Sequence, residues 1–268
     1  MADRRTTATK PSALARALAR AARILLVLLI LGAAGYAAWV YVPPYIRIKE
    51  LLVSGNHTVS EADILAAAAI PASENIISVN LRALERRLES EPRVASAHAT
   101  RIFPSSLAIG VVERRPVACI LVQTDSGVKP VLADEEGCVY AYSGEETGDM
   151  LVVSGIQFAD FVPGQRLPSE LFPFFARLGK LGSVVPDLLS VFSEIRILRL
   201  AAGDIELLLY PVHVPIPVRT QAVLDEKTLR SVILVLDILK ERHQAGSVEE
   251  VDFRTGTVVY RTKEGQPG

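Results

Sequence analysis

The chain has 268 residues, room for one large domain or two small ones once any targeting segment is set aside. Half of it is apolar and 22% is charged, which excludes a disordered chain. Aromatic residues make up only 6%, and 29 basic residues nearly balance 30 acidic ones, so neither base stacking nor a global basic surface points to nucleic acid.

The balance hides an asymmetry. Residues 1–23 hold Arg4, Arg5, Lys10, Arg16, Arg20 and Arg23 against Asp3 alone, a net +5, which leaves −6 for the rest. Residues 24–42, ILLVLLILGAAGYAAWVYV, are nineteen residues without a charge. As a helix they span roughly 28 Å, about the hydrocarbon thickness of a bilayer. Trp39, Tyr41 and Tyr45 gather at the far end like an interfacial belt, and Pro43 and Pro44 are expected to stop the helix. The positive-inside rule places 1–23 in the cytoplasm and the rest outside it. A cleaved signal peptide, with small residues near Gly35 and Ala37, is the alternative. The long basic region and the aromatic anchor beyond the candidate cut favour a retained span.

A compact unit is expected over residues 46–116. IRIKELLVSG (46–55) reads as a strand ending in a Gly55-Asn56 turn. Ser60-Glu61-Ala62-Asp63 resembles a capping box for a short first helix ending near Pro71. Asn80 can cap a second, 81–89, with Leu81, Leu84 and Leu88 on one face. Two strands follow, 94–102 and 107–113, as a hairpin whose outer edge, at Ala97 and Ala99, is expected to be available for strand addition. The order strand, helix, helix, strand, strand predicts helices on one face of a small sheet.

Residues 117–263 read as a strand-rich unit. Residues 117–123 and 128–134 flank the turn Asp125-Ser126-Gly127, and 138–142 follows another turn. Residues 193–200 and 204–210 flank Ala202-Gly203 as a further hairpin. Helices are expected at about 168–180 and 224–242; in the latter Leu229, Val232, Ile233, Leu236 and Leu239 form a stripe that Leu234, Val235 and Ile238 widen across a sheet. Two β-rich pieces around Thr255-Gly256 end the unit, and 264–268 form a tail. The fold class is therefore α+β: one N-terminal transmembrane helix, a β-α-α-β-β unit, and a mixed β-rich domain with helices packed on a sheet.

Residues 46–118 resemble a POTRA domain of the FtsQ/DivIB cell-division family. The matching pieces are VSGNHTVSEADI (53–64), NLRALERRLESEPRVASA (80–97) and RIFPSSLAIGVVERRPVA (101–118), with Arg101, Pro104, Leu107, Glu113, Arg114 and Pro116 at the family's spacing. VLADEEGCVY (131–140) and EVDFRTGTVVYR (250–261) are similar to the family's β domain, although Thr255 alone separates Arg254 from Gly256 where the family often has a longer, aromatic-containing insert. The resemblance implies a non-enzymatic scaffold of the division septum, anchored in the bacterial inner membrane with its folded units outside the cytoplasm. The implied partners are FtsB/DivIC and FtsL, with other division components reached through the POTRA unit, and the implied role is to link early ring components to septal peptidoglycan synthesis. The alternative is a POTRA-containing secretion or envelope-assembly factor that accompanies extended clients.

Nothing in the sequence suggests a catalytic, cofactor or metal site. His57, His98, His213 and His243 fit no compact ligand spacing, and no GxSxG elbow, P-loop or GxGxxG occurs. Glu135-Glu136 and Glu249-Glu250 are neighbours whose side chains diverge on a strand or are solvated in a turn. Cys119 and Cys138 are expected two strands apart, about 9–10 Å and beyond the usual bridging limit, so two buried thiols are preferred to a disulfide. The Arg82, Arg86 and Arg87 cluster reads first as a solvated face between Glu85 and Glu89, with an acidic partner or lipid headgroups as the functional alternative.

The last strand is the most suggestive element. A terminal strand is often a sheet edge with one row of backbone groups unpaired. Val258 and Tyr260 share one face and Val259 and Arg261 the other, which suits strand addition by a partner; an internal strand with these residues as core is the alternative. The resemblance points to the same region for FtsB/DivIC binding. The candidate partner-binding residues are Val251, Phe253, Arg254, Val258, Val259, Tyr260 and Arg261, with Arg254 as a charge contact near the turn.

Overall fold

Alanine and leucine, the strongest helix formers, dominate the chain from Ala13 onward, and in the computed structural model Ala13–Tyr41 is one helix, α1. The structure describes residues 13–41, 43–124, 127–144, 150–156, 161–199, 204–242, 246–255 and 258–262. The basic residues before Ala13, the tail 264–268, His243 and the turn residues Asp125, Ser126, Ala202, Gly203 and Gly256 lie outside these. Within α1, Arg20–Ala37 is long and apolar enough to cross a membrane and is wholly unburied. α1 stops at Tyr41, ahead of the two prolines, and Pro43–Ile46 then form a separate single turn, α2, since proline suits the first turn of a helix.

The next elements are β1 (Glu50–Ser54), α3 (Glu61–Ala68), α4 (Leu81–Glu89), β2 (Val94–Ile102) and β3 (Ser106–Glu113). This is the order expected from the sequence. β3 is central, parallel to β1 and antiparallel to β2. Both helix starts use the expected caps: Ser60 Oγ accepts the Asp63 N–H at 3.1 Å and Asn80 Oδ1 that of Ala83 at 3.1 Å, contributions of about 1 kcal/mol each. Ile64, Leu84 and Leu88 of the helices bury against Ala99, Leu107, Ile109 and Val111 of the sheet. Gly55 holds a left-handed φ of +84° and a side chain there would meet the Val111 carbonyl at 2.1 Å, so the turn after β1 admits only glycine.

The rest of the chain builds a second sheet. Its elements are β4 (Ala118–Thr124), β5 (Gly127–Ala133), β6 (Cys138–Tyr142), β7 (Val152–Ser154), β8 (Gln165–Arg166), a 3-10 turn at Ser169–Leu171, α5 (Phe172–Val184), α6 (Pro186–Leu189), β9 (Phe192–Arg199), β10 (Ile205–Pro211), β11 (Val218–Gln221), α7 (Glu226–Glu241), β12 (Val248–Asp252) and β13 (Val259–Thr262). The strand order is β13-β12-β11-β10-β9-β7-β4-β5-β6-β8. The hairpins β4–β5, β5–β6 and β9–β10 follow the sequence reading. β7, β8 and β11 do not, being too short for a periodicity to show. β7 matters most, because it joins the two halves by pairing parallel with both β4 and β9. One sheet face is covered: Ile195, Ile197, Leu207, Leu209, Val218 and Val251 share a core with Phe175 and Leu178 of α5 and Leu229, Val232 and Leu236 of α7. The α7 stripe is narrower than expected. Leu234 and Ile238 are exposed, since they lie off the 229-232-236-239 line that meets the sheet.

Candidate partner-binding edge

Among the described residues β13 pairs with β12 alone, which makes it an outer strand of the ten-stranded sheet. The register sets Tyr260 opposite Val251 and Val259 opposite Asp252. Tyr260 therefore lies on the face of the buried Val251, the helix-covered face, and extends the line of core residues outward. Val258 directly precedes the strand. The two remain open, Tyr260 at 57% and Val258 at 42% exposure.

Backbone alternation decides which groups of β13 point outward. The Val251 N–H donates to the Pro217 carbonyl at 3.0 Å and the Phe253 N–H to that of Arg219 at 2.8 Å, both toward β11. Glu250 and Asp252 thus face β13, and their partners Arg261 and Val259 face back. The N–H and C=O of Tyr260 are left on the outer side.

The candidate residues separate into two groups. Val258, Val259, Tyr260 and Arg261 are exposed on the edge. Val251 is fully buried and Phe253 is half-buried against the same core, so their side chains pack inside rather than presenting a contact surface. Arg254 is already engaged. Its guanidinium bonds both Asp252 oxygens, Oδ2 at 2.7 Å and Oδ1 at 3.1 Å, and also Glu206, while its carbonyl accepts from Gln221 at 2.7 Å.

A cluster that sequence reasoning missed surrounds it. Arg219 of β11 donates to Glu250 of β12 at 2.7 and 3.1 Å and to Glu206 of β10 at 3.1 Å. Glu206 is only 7% exposed; burial opposes its charge, but Arg254 and Arg219 hold its carboxyl below the usual range. The Arg254 hydrogen bonds do the same for Asp252. This network has a mechanical meaning, because β11 and β12 share only two register pairs, Val218–Val251 and Arg219–Asp252. Charge-assisted bonds therefore add to the buried Val248 and Val251 and to the short backbone ladder in tying the β12–β13 hairpin to the sheet. Glu206 is the one charged residue in the apolar strand IELLLYP, and that polar interruption was the available signal.

The other suggested edge is closed. β2 is an outer strand, but Glu85 Oε1 accepts the Ala99 N–H at 2.9 Å and Glu89 Oε1 that of Ala97 at 3.4 Å. The expectation of a free β2 edge is corrected accordingly: carboxylates of α4 occupy the donors a partner strand would need. Within the arginine cluster of α4, Arg87 reaches the Ala69 carbonyl at 3.2 Å.

The motif residues of the first unit prove to be internal ties. Arg101 donates to the carbonyls of Ile76 and Val79, both at 2.6 Å. The Glu113 carboxylate receives the N–H groups of His57, Thr58 and Val59 and the Thr58 hydroxyl; burial works against its charge, yet these donors hold its pKa down to about 2. Arg114 bonds the Pro92 carbonyl at 3.1 Å and the buried Asp134, tying the two units together. Cys119 and Cys138 are separate, buried and free, and burial pushes both thiols up. His98 is an exposed strand residue 3.2 Å from Glu85.

A small β-α-α-β-β unit followed by a large sheet that ends on β13 defines the class: a POTRA-bearing protein with an appended β domain. A family profile for the FtsQ-type POTRA domain matches residues 46–114. The cell division protein FtsQ of Anaeromyxobacter sp. (strain K) is 28% identical over 246 residues, covering 84% of this chain and 79% of that protein. FtsQ of Mycobacteroides abscessus is 28% identical over 146 residues, which is 54% of this chain and 40% of that protein. The chain thus spans less than half the length of some relatives it matches. The major extracytoplasmic domain of DivIB from Geobacillus stearothermophilus aligns with 48% of this chain and 96% of its own at 18% identity, with a TM-score of 0.28, too low to carry an argument. Residues 46–114 thus match the FtsQ-type POTRA family, and most of the chain is similar to a cell division protein FtsQ.

Proposed function

We propose that this protein is a membrane-anchored, non-enzymatic scaffold of the bacterial division septum, which works by holding partners through the open edge of β13. The observation that carries the reading is that edge: an outer strand whose outward backbone groups at Tyr260 have no strand partner among the described residues, with exposed apolar side chains beside them. A partner strand added there gains main-chain bonds for affinity and the Val258 and Tyr260 side chains for specificity. The partners are FtsB/DivIC and FtsL, and the bridge links early ring components to septal peptidoglycan synthesis. Anchoring both partners in one membrane raises their effective concentration, so a short strand interface suffices.

In this reading residues 1–23 are cytoplasmic, 24–42 span the inner membrane, 46–116 form the POTRA domain, 117–263 the β domain and 264–268 a tail outside the cytoplasm. A reporter fused after residue 268 is then active only outside the cytoplasm. The test of the interface uses residues 46–268, which contain both hydrophobic cores. Tyr260→Ala and Val258→Lys are expected to weaken capture of the FtsB/DivIC extracytoplasmic segment about tenfold or more, a change of ~1.4 kcal/mol, at unchanged melting temperature. Wild-type binding by both folded variants removes β13 from the interface.

A further inference from the structure

We propose that the POTRA unit touches the bilayer directly, through Ile77, Ile102 and Phe103, in addition to its tether through α1. The inference rests on the reading of α1 as a membrane span and adds a second contact to it.

The geometry begins at the tether. α1 ends at Tyr41, and by Ile46 the chain is already bonded into the folded unit, the Ile46 carbonyl accepting the Ile76 N–H at 2.8 Å. Five residues separate the two points, at most about 17 Å of chain, and Pro43–Ile46 shorten that by forming a helical turn. The end of the unit that holds residues 46–49 is therefore kept at the membrane surface.

Two loops meet the chain at that end. The α3–α4 loop pairs with it, through the Arg47–Asn75 bridge and the Ile48 N–H to the Glu74 carbonyl. The β2–β3 turn pairs with it as well: the Lys49 N–H donates to the Ser105 carbonyl at 2.8 Å, and Glu50 stands opposite Ser106. Arg101 locks the loops to each other through its bonds to the Ile76 and Val79 carbonyls. Each loop then turns large apolar side chains to solvent: Ile77 is 61% exposed, Phe103 65% and Ile102 44%, while the adjacent Ile76 is fully buried in the core. Tyr45 is exposed on the connecting turn.

Exposed apolar residues brought together from separate loops mark an interaction surface. The occupant here follows from position, since the chain itself holds this end beside the bilayer in which α1 sits. Isoleucine and phenylalanine favour the headgroup–acyl boundary, and tyrosine the interface. The charges nearby are close to balanced: Arg47 and Lys49 are exposed, Glu50 and Glu74 bond the Ser106 and Ser78 hydroxyls, and Arg101 is committed to carbonyls. The contact is thus apolar and needs no anionic lipid. It is weak by itself and acts because tethering supplies a high local concentration of membrane. Its effect is to limit the swing of the unit about the short connection after α1.

The test uses the full chain in zwitterionic vesicles whose acyl chains carry bromine, a short-range quencher of tryptophan. Trp39 is the chain's only tryptophan, so Trp39→Phe gives a dark background. On it, Phe103→Trp and Ile77→Trp each place one indole at the proposed contact. Val112→Trp places one on an exposed position near the other end of β3, about 20 Å along the strand from Ser106. The expected result is loss of fluorescence for the Phe103→Trp and Ile77→Trp indoles in brominated vesicles and none for Val112→Trp. Full fluorescence at both, with native Trp39 quenched in the unsubstituted chain, overturns the contact and leaves the span intact. Equal quenching of Val112→Trp overturns it too, as does a blue shift without quenching, which marks a protein neighbour instead. An unquenched Trp39 removes the span, and the inference with it.

Discussion

β2 and β13 are both outer strands, yet only one offers itself to a partner. On β2 the outward N–H groups of Ala97 and Ala99 are bonded to Glu89 and Glu85, which sit one turn apart on α4. On β13 the outward backbone groups of Tyr260 have no strand partner among the described residues and lie beside exposed apolar side chains. The difference does not lie in strand propensity. It lies in a neighbouring helix that supplies two carboxylates at the right height on one edge, a protection that edges commonly receive. Openness of an edge is therefore a property of what packs beside it.

The sharpest way to break the comparison is one substitution made on both edges. Ala99→Pro removes a donor bonded to a carboxylate and forces a ring into a buried site, and is expected to cost about 3 kcal/mol. Tyr260→Pro removes an outward N–H only and is expected to stay within about 0.5 kcal/mol, while abolishing partner capture. Thermal unfolding checks both, and equal shifts would show that the edges do not differ.

Second in size is Arg219→Ala. It strips Glu206 and Glu250 of a shared partner and is expected to cost about 2–3 kcal/mol, less than a fully buried pair. Proteolysis should then cut the β12–β13 hairpin before the rest of the sheet. Uniform loss of resistance would mean that the network does not hold that hairpin in particular.

Acid should act on the first unit through Glu113. Its folded pKa, about 2, lies below its usual 4.5. A depressed carboxyl contributes stability that is present above the unfolded value and is lost as pH falls through the folded one. The window runs from about 4.5 down to about 2, and the loss is about 2 kcal/mol once partial exposure is discounted. Denaturant titrations at pH 7 and pH 3 check this, and Glu113→Gln should flatten the slope between them. An equally steep slope in the variant would place the acid sensitivity elsewhere.

The smallest expected effect converts one edge into the other. Glu85→Ala with Glu89→Ala frees the β2 donors at a cost of about 1 kcal/mol, and should promote self-association at high concentration in sedimentation velocity. A double variant that stays monomeric at every concentration would mean that free donors alone do not make an edge adhesive.

Much of the first unit was legible because its signals are local. Ser60 and Asn80 cap the helices the sequence assigns to them, and Leu84 and Leu88 fall on the buried face. The end of the chain was legible in part. The alternation of Val259, Tyr260 and Arg261 sorts the faces of β13 correctly, but it gives Val251 and Phe253 the same standing as residues that the fold leaves outside. Arg254 looked free for a partner because Glu206, 48 residues earlier, is invisible to a local reading.

Periodicity, caps and turn residues by themselves determined the membrane-length helix, the β-α-α-β-β order and the strand faces, because each depends on residues within a few positions of one another. Whether an edge is open was left to the tertiary structure, which brings Glu85 to Ala99 and Arg254 to Glu206. So was the continuity of the large sheet, which passes through the three residues of β7 between β4 and β9. A strand of that length carries no period of its own. Its place comes from two parallel neighbours and from Gly155, whose left-handed φ of +84° lets the chain turn against the Ile197 carbonyl, where any side chain would collide at 2.1 Å.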